Sequence, residues 1–410
     1  MQDDDKAQDF LLNNNDKNMF LILSLDSVAT FTLCSGWTDD IEEAFANAIE
    51  RVIDENPILT SCLLRKKTHL YARPAVYTRK NHQFFTSVKD MTNDMQNFQT
   101  HKDQLHFMIH YLGPKVQTAV NRVRYEIKYK KPLFHVHLFR FRNGYACYHV
   151  AISHALVDIT TYYNIIGQIS SFMNQEQISK IQWGRTPHIL SYPSHYTEKD
   201  KSLFSLSNLL VGFIRYKFRT RKYPKNHIWA FPKEKLAMEK KKQVDIHTHP
   251  YISSNDLIVS SISRASCPSF SLEMWIVMNL RPRDTQRFQL NDGGIYLQLF
   301  TMPSKVSSNP NHVRTAVDRG YYYDAKEVDS KPIRYGHLHM VTSWVSGYQS
   351  LKGVATLCHC PDYVAIQSRA RGAVSIVFHL DEDHIGIYHN VLKLDDKEME
   401  NMKDWVTVLQ

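Results

Sequence analysis

Glycine is scarce in this chain, with 14 residues in 410, and the common glycine-rich nucleotide-binding strings are missing. Neither the G-x-G-x-x-G string of dinucleotide-binding folds nor the G-x-x-x-x-G-K-[ST] string of P-loop proteins occurs. The sequence therefore argues against a fold that cradles phosphates in a glycine-rich loop.

Long apolar runs and clustered cysteines are also lacking. No stretch of about 18 apolar residues exists, so the sequence predicts no membrane-spanning segment. The six cysteines are dispersed, and the opening MQDDDKAQDF is acidic where a secretory leader would be basic. These features predict a reducing, cytoplasmic setting. Cys358 and Cys360, separated only by His359, are too tightly spaced for a zinc knuckle, and we expect ordinary strand cysteines there.

What the chain does have is an excess of positive charge on an ordinary globular composition. Lys plus Arg number 50 against 41 for Asp plus Glu, a formal net charge of +9, and 43% of the residues are hydrophobic. This composition predicts two domains and an anionic partner. No zinc-finger, helix-turn-helix or RNP-like string accompanies the cations, so we expect no nucleic-acid partner.

The first half of the chain mixes helices and strands. Residues 39–55 show the apolar spacing of an amphipathic helix, with Pro57 soon after its end. Two apolar runs, 134–141 and 145–153, are joined through an Asn-Gly pair that suits a tight turn, which predicts a hairpin. Helical apolar spacing follows over 158–173. Such a mixture indicates an α/β or α+β fold.

The second half continues the mixture after a polar, basic stretch. We expect a helix after residue 253, strands at 270–283, 293–300, 338–344 and 374–391, and a closing helix. The composition shift suggests three parts, which are an N-terminal lobe at 1–185, a basic crossover linker at 186–245 and a C-terminal lobe at 246–410.

The apolar-basic segment 203–225 has three interpretations. An apolar stretch to Ile214 is followed directly by cations that end at Lys225. It could be a crossover helix packed on its own lobe, a peripheral contact with an anionic membrane, or a cationic surface for the phosphates of a cofactor.

Histidine pairs of the form H-x-H raise the question of a metal. Two histidines that lie two apart on a strand share a face and could bind one ion. No further ligands have an obvious place in the sequence, so we expect no metal site. The pairs are His135/His137, His247/His249 and His337/His339.

His154 is the residue best placed for chemistry. It follows an apolar strand directly and precedes a helix, and such junctions expose side chains at the rim of a sheet. An imidazole there can remove a proton from a hydroxyl, amine or thiol near neutral pH. The other interpretation is a histidine that packs in the hairpin. Asp158 could likewise cap the following helix or belong to a site.

The string His154-x-x-x-Asp158 resembles the H-H-x-x-x-D-G signature of the chloramphenicol acetyltransferase-like superfamily. That superfamily includes BAHD acyltransferases, condensation domains of peptide synthetases and wax ester synthases. Further motifs occur in the family's order between about residues 20 and 400, with BAHD-like members the nearest match in the second half. They are D-E-N-P-I-L at 54–59, S-S-N-D at 253–256, N-L-R-P-R at 279–283 and V-T-S-W at 341–344.

The resemblance implies a fold and a division of roles. It implies two similar lobes, each a mixed sheet flanked by helices, with an active-site tunnel at their interface. His154 would be the general base, while Asp158 would be structural and paired with Arg281 between the lobes. The segment V-T-S-W would help to hold the reacting groups and the oxyanion through Thr342, Ser343 and Trp344.

The chain departs from the family pattern at three places. Ser153 stands where many members have a first histidine, and Ile159 replaces the glycine after the aspartate. The D-F-G-W-G segment expected after T-S-W is missing, and residues 347–360 stand in its place. With Ile159 in place of glycine, the sequence does not fix the backbone conformation at the start of the helix. Without the D-F-G-W-G segment, it does not fix the class of acceptor.

The expected function is transfer of an acyl group from acyl-CoA to a hydroxyl or amine acceptor, without a bound cofactor. The acceptor would be a small molecule or a lipid, the protein a monomer, and the residues that bind CoA are not identified. Two alternatives stay open: a non-catalytic, condensation-like binding or scaffold protein, and a membrane-associated lipid acyltransferase of the wax ester or diacylglycerol type.

Overall fold

The computed structural model of the protein describes the greater part of the chain. The described residues are 10–13, 27–66, 69–73, 84–91, 99–116, 132–183, 225–244, 251–265, 272–283, 285–286, 288–319, 337–362, 373–391, 396–404 and 406–409. Within them, no helix combines the length and the apolar character needed to cross a membrane.

Strands and helices are mixed along these residues. The strands are β1 Phe10–Asn13, β2 Ser27–Ser35, β3 Cys62–Lys66, β4 His69–Arg73, β5 Phe85–Met91, β6 Phe134–Phe141, β7 Tyr145–Ser153, β8 Lys225–Pro232, β9 Leu272–Asn279, β10 Leu297–Pro303, β11 His337–Ser343, β12 Ala355–Pro361, β13 Ala373–His379, β14 His384–Val391 and β15 Thr407–Val408. The helices are α1 Asp39–Glu55, α2 His101–His106, a π-helix Phe107–Leu112, α3 Gly113–Val116, α4 Ile159–Met173, α5 Lys233–Gln243, α6 Ser254–Ala265, α7 Ser304–Ser307, α8 Pro310–Arg319 and α9 Asp396–Met402. Short 3-10 turns lie at Pro57–Thr60, Arg142–Gly144 and Val345–Gly347.

The chain forms two compact units that are not contiguous in sequence. Unit 1 contains residues 1–189, 279–296 and 346–369, and unit 2 contains 190–278, 297–345 and 370–410. The sequence-based boundaries at 185 and 246 are therefore corrected in two ways. The second half of the expected linker carries β8 and α5 of unit 2, and two segments of the expected C-terminal lobe fold with unit 1 because they make their hydrogen bonds there.

Unit 1 is built on a five-stranded sheet in the order β12-β2-β7-β6-β5. All neighbouring pairs are antiparallel except β5 and β6, which run parallel. Helices α1 and α4 cover one face, where Tyr162 bonds Thr30 and Tyr163 bonds His359. The unexpected member is β12, which comes from the segment that stands in place of D-F-G-W-G. Its Cys358 and Cys360 are buried strand cysteines, and no disulfide joins them.

The β6–β7 hairpin has the turn that its sequence predicts. Asn143 and Gly144 adopt φ values of 62° and 75°, which are left-handed conformations that asparagine and glycine tolerate. The register pairs His137 with His149 and Phe134 with Ile152. This register brings β7 to its end at Ser153.

Unit 2 is built on a seven-stranded sheet in the order β10-β9-β11-β13-β14-β8-β15. The neighbours β9, β11 and β13 are parallel, while β14, β8 and β15 add antiparallel pairs. The apolar side chains of these strands pack with those of α5, α6 and α8 in one core. The expected run 374–391 is two strands, because Asp381 accepts hydrogen bonds from the backbone of Asp383 and His384 and turns the chain.

Three fully buried polar side chains lie side by side in the unit 2 sheet. His339 Nε2 is 2.8 Å from Ser375 Oγ, and the same hydroxyl contacts His389 Nδ1. The hydroxyl can donate to one imidazole while it accepts from the other, so both rings can bond it as neutral groups. Burial lowers the pKa of His339 to about 3, and it lowers the pKa of His389 as well.

We therefore expect the stability of unit 2 to fall in acid. An unfolded histidine has a pKa of about 6.5, so below that pH the unfolded chain binds protons that the folded His339 does not. The contribution of the neutral His339 to the free energy of unfolding is fully present above about pH 6.5 and is lost progressively toward pH 3. In urea unfolding between pH 7.5 and 5, the free energy of unfolding should fall as the pH falls. His339→Gln should reduce this dependence on pH by up to about 1.4 kcal/mol per pH unit. The exposed His312→Gln is the control, and equal slopes in all three proteins would contradict this expectation.

Candidate active site

His154 lies in the turn that follows β7. The carbonyl of Ser153 accepts hydrogen bonds from the amides of Leu156 and Val157, at 3.0 and 3.3 Å, and this closes the turn. Ser153 itself is buried, whereas the side chain of His154 is half-buried. The strand thus ends immediately before the residue that the sequence singles out, and His154 lies in the turn and not in the sheet.

The ring of His154 is oriented by the backbone of its own turn. His154 Nδ1 lies 2.8 Å from the carbonyl oxygen of Val157. Because a carbonyl oxygen only accepts, Nδ1 must carry the proton in the neutral ring. Nε2 is then the basic nitrogen, which is the arrangement that a general base requires.

Asp158 caps the helix that follows. Its side chain is fully buried, and Oδ1 accepts a hydrogen bond of 3.0 Å from the amide of Thr161. Oδ2 accepts one from Arg281 Nη1 at 2.7 Å and one from the amide of Tyr296 at 3.0 Å. The carboxylate therefore has the capping role and the arginine contact at the same time.

Arg281 is the other half of a buried ion pair, and its remaining donors are also satisfied. Nε and Nη2 donate to the carbonyl of Asp292 at 3.0 and 2.8 Å, and Nη2 also donates to Thr161 Oγ1 at 2.9 Å. The guanidinium lies 4.6 Å from the centre of the Tyr296 ring. A buried charge is tolerated only where its partners are complete in this way.

The ion pair lies within unit 1. The resemblance implies a contact between two lobes, but residues 279–296 fold with unit 1 and bring Arg281 to the start of α4. Asn279 supports the same turn, since its Nδ2 donates to Thr160 Oγ1 at 2.9 Å. The sequence analysis did not identify Thr161 or the backbone amide of Tyr296 as partners of this ion pair. The helix-capping pattern at Asp158 could have indicated Thr161, whereas no local signal indicates a backbone amide so far along the chain.

Ile159 does not disturb the helix entry. Asp158 has an extended backbone at φ −91° and ψ −179°, and the helix begins at Ile159 with an ordinary right-handed turn. Among the described residues, only Asn143 and Gln175 combine a side chain larger than glycine's with a positive φ. The glycine of the family signature is therefore dispensable here.

Thr342, Ser343 and Trp344 belong to unit 2. The first two are half-buried residues at the end of β11, and Trp344 is buried, with its amide 2.7 Å from the carbonyl of Val377. Their part in chemistry stays a prediction. Residues 203–224 of the apolar-basic segment lie outside the described residues, and Lys225 begins β8.

Solved structures share this fold, although no family model and no curated protein matches the sequence. TRI101 of F. sporotrichioides, solved with coenzyme A and T-2, has a TM-score of 0.65 at 11% identity, over 98% of this chain and 99% of that one. Vinorine synthase has a TM-score of 0.61 at 12% identity, over 98% and 92%. The first condensation domain of the CDA synthetase has 0.56 at 8%, over 97% and 94%. The chain thus has the mixed α/β fold of the BAHD and condensation-domain type, as its motifs predict.

We expect loss of Arg281 to destabilise unit 1 strongly. Arg281→Met would leave the Asp158 carboxylate buried without its cation, at a cost of about 3–5 kcal/mol. The double variant Asp158→Asn with Arg281→Met should lose less than the sum of the two single variants, since neither charge is then left alone. Urea unfolding measures all three.

Arg283→Met is the matched control, because Arg283 is an exposed arginine of the same N-L-R-P-R motif. It should change stability by no more than about 0.5 kcal/mol. Equal losses for Arg281→Met and Arg283→Met would show that the buried pair has no special weight.

Proposed function

We propose that this protein is a CoA-dependent acyltransferase that moves an acyl group from acyl-CoA to a hydroxyl or amine acceptor. The observation that carries the proposal is His154 directly after β7, with Nδ1 bonded to the Val157 carbonyl, so that Nε2 is the basic nitrogen of the neutral ring. The fold adds support, because solved structures that share it include TRI101 with bound coenzyme A.

The chemistry follows from this one base. His154 Nε2 takes the proton of the acceptor O–H or N–H while that atom attacks the carbonyl carbon of the thioester. The π electrons of the carbonyl move onto its oxygen, which becomes the oxyanion of a tetrahedral intermediate. When the oxyanion collapses, the C–S bond breaks and the imidazolium returns the proton to the leaving thiolate. The products are the acylated acceptor and free CoA, and His154 ends in its starting state.

Asp158 and Arg281 would act as positioning residues. Both side chains are fully buried, and their polar atoms bond to other groups of the protein. Their role is therefore to hold the structure of the site and not to contact the substrate. Their pair fixes the first turn of α4, and that turn follows the Val157 carbonyl that orients the His154 ring. A displacement of Asp158 would therefore also displace the Val157 carbonyl, only a few covalent bonds away, and with it the His154 ring.

The acceptor is best sought among small molecules. TRI101 is a structural neighbour that was solved in complex with coenzyme A and the small molecule T-2. We therefore assign a small-molecule alcohol or amine, and a lipid acceptor becomes an outcome of the same assay.

Replacement of His154 tests the proposal directly. His154→Ala should lower turnover by about 10²–10⁴-fold, the contribution typical of a general base. Release of free thiol from a panel of acyl-CoA donors, each with alcohol and amine acceptors, gives the rate. His312→Ala, at an exposed histidine of α8, should retain full activity.

Each outcome of that panel has a meaning. Turnover by wild type and His312→Ala, but not by His154→Ala, supports the acyltransferase. No turnover by the wild type with any donor would favour the non-catalytic scaffold. Turnover that His154→Ala retains would remove His154 from the mechanism.

The hydroxyls near the end of β11 are expected to stabilise the oxyanion. Thr342→Val and Ser343→Ala should each lower kcat by about 10²–10³-fold if that residue is an oxyanion donor, with little change in KM. Thr342→Ser keeps the hydroxyl and should keep most of the rate. A change confined to KM would instead indicate that these residues only bind substrate.

A further inference from the structure

The β6–β7 hairpin gathers three imidazoles on one face of the unit 1 sheet. His135 and His137 lie two apart on β6 and share a face, and the register sets His137 directly opposite His149 on β7. The ring centroids of His135 and His137 are 4.1 Å apart, and those of His137 and His149 are 6.1 Å apart. This face points away from Tyr162 and Tyr163 of α4. The strand residues that contact these two tyrosines alternate with the histidines, so they belong to the other face of the sheet.

Two of these imidazoles have buried nitrogens that the protein does not satisfy. Among the described residues, neither His137 Nδ1 nor His149 Nδ1 has a hydrogen-bond partner. The exposed fractions of the two residues are only 9% and 1%. Buried polar atoms without a protein partner are rare in native proteins, so each calls for an explanation such as an ordered water or a bound ion.

The other nitrogen of His149 is held by a carboxylate. Its Nε2 lies 3.2 Å from Asp362 Oδ2, and Asp362 is itself almost fully buried. In the same way, His135 Nε2 lies 3.4 Å from Thr86 Oγ1. A histidine that binds a metal through one nitrogen commonly donates its other N–H to a carboxylate, which fixes the ring and raises its basicity.

The residue type also suits a metal ion, because imidazole nitrogens are preferred ligands of zinc and related ions.

We propose that His135, His137 and His149 bind a divalent transition-metal ion of the zinc class, with Asp362 as the outer partner of His149. Three histidines with a water in the fourth position are an established ligand set for Zn²⁺. The sequence offered only an H-x-H pair with no further ligand. The pairing of β7 with β6 supplies the third imidazole.

Binding requires the rings to turn. In their present orientations the three residues do not offer ligand nitrogens that all lie within 4.8 Å of one another. Rotation about the side-chain torsions must bring one nitrogen of each to about 2.0–2.1 Å from the ion. The 3.4 Å contact of His135 Nε2 with Thr86 Oγ1 is long for a hydrogen bond, so this contact opposes the rotation only weakly.

The first experiment uses the wild-type protein, stripped with EDTA and dialysed. Titration with Co²⁺ should produce visible absorption bands of a tetrahedral nitrogen site that saturate at one ion per chain, and Zn²⁺ should abolish them. Zn²⁺ at 100 times its dissociation constant should raise the ratio of folded to unfolded protein about 100-fold. Absence of the bands and of the stabilisation in the wild type would overturn the proposal, whatever any variant does.

Variants then assign the ligands. His137→Asn and His149→Asn should each weaken Co²⁺ binding by more than the roughly 10–100-fold expected for an outer partner, and Asp362→Asn should weaken it by about that amount. Competition with a chelator of known affinity measures each change. None of these readouts depends on acyl transfer, so this proposal and the proposed function can fail separately.

The control removes a second histidine pair that could bind metal at the surface. His106 and His110 are exposed on α2 and the π-helix, with ring centroids 4.6 Å apart. The double variant His106→Asn with His110→Asn should leave the Co²⁺ bands unchanged. Loss of the bands in this variant, together with their retention in His137→Asn and His149→Asn, would move the ion to the surface and overturn the proposal.

Discussion

The ion pair between Asp158 and Arg281 is the contact on which the candidate active site depends. A pair with both side chains fully buried contributes little net stability, because desolvation consumes most of the Coulomb attraction. Its value lies in specificity, since an arrangement of this loop that separated the two groups would leave two buried charges without a partner. By fixing residues 279–296 against the start of α4, the pair sets the turn in which the Val157 carbonyl orients His154.

The pair also explains how the chain is divided. After β9 the chain leaves the unit 2 sheet, makes the Arg281 contacts in unit 1, and re-enters unit 2 with β10. It leaves again at residue 346 to add β12 to the unit 1 sheet. Each unit is therefore completed by residues far along the chain, so a cut at a single point in the sequence would leave unit 1 without the arginine and without an edge strand.

The local features could be predicted from the sequence, and the non-local ones could not. Helix α1, the Asn-Gly hairpin and the position of His154 after a strand all follow from signals within about ten residues, because periodicity and turn chemistry are local. The pairing of β12 with β2 joins residues more than 300 apart, as in the 2.8 Å contact of Thr32 with His359. No periodicity encodes such a partner. Arg281 was found only because a family motif carries it.

The two faces of the unit 1 sheet treat histidine differently, and the contrast separates structural histidines from ligands. On the α4 face, His359 has both nitrogens bonded, Nδ1 to Thr32 at 2.8 Å and Nε2 to Tyr163 at 3.0 Å. On the opposite face, His149 is as deeply buried, but among the described residues only its Nε2 has a partner, Asp362. The same sheet can thus satisfy a buried imidazole completely. Since an unsatisfied buried nitrogen costs free energy, the half-satisfied ring is the one that a metal ion would complete.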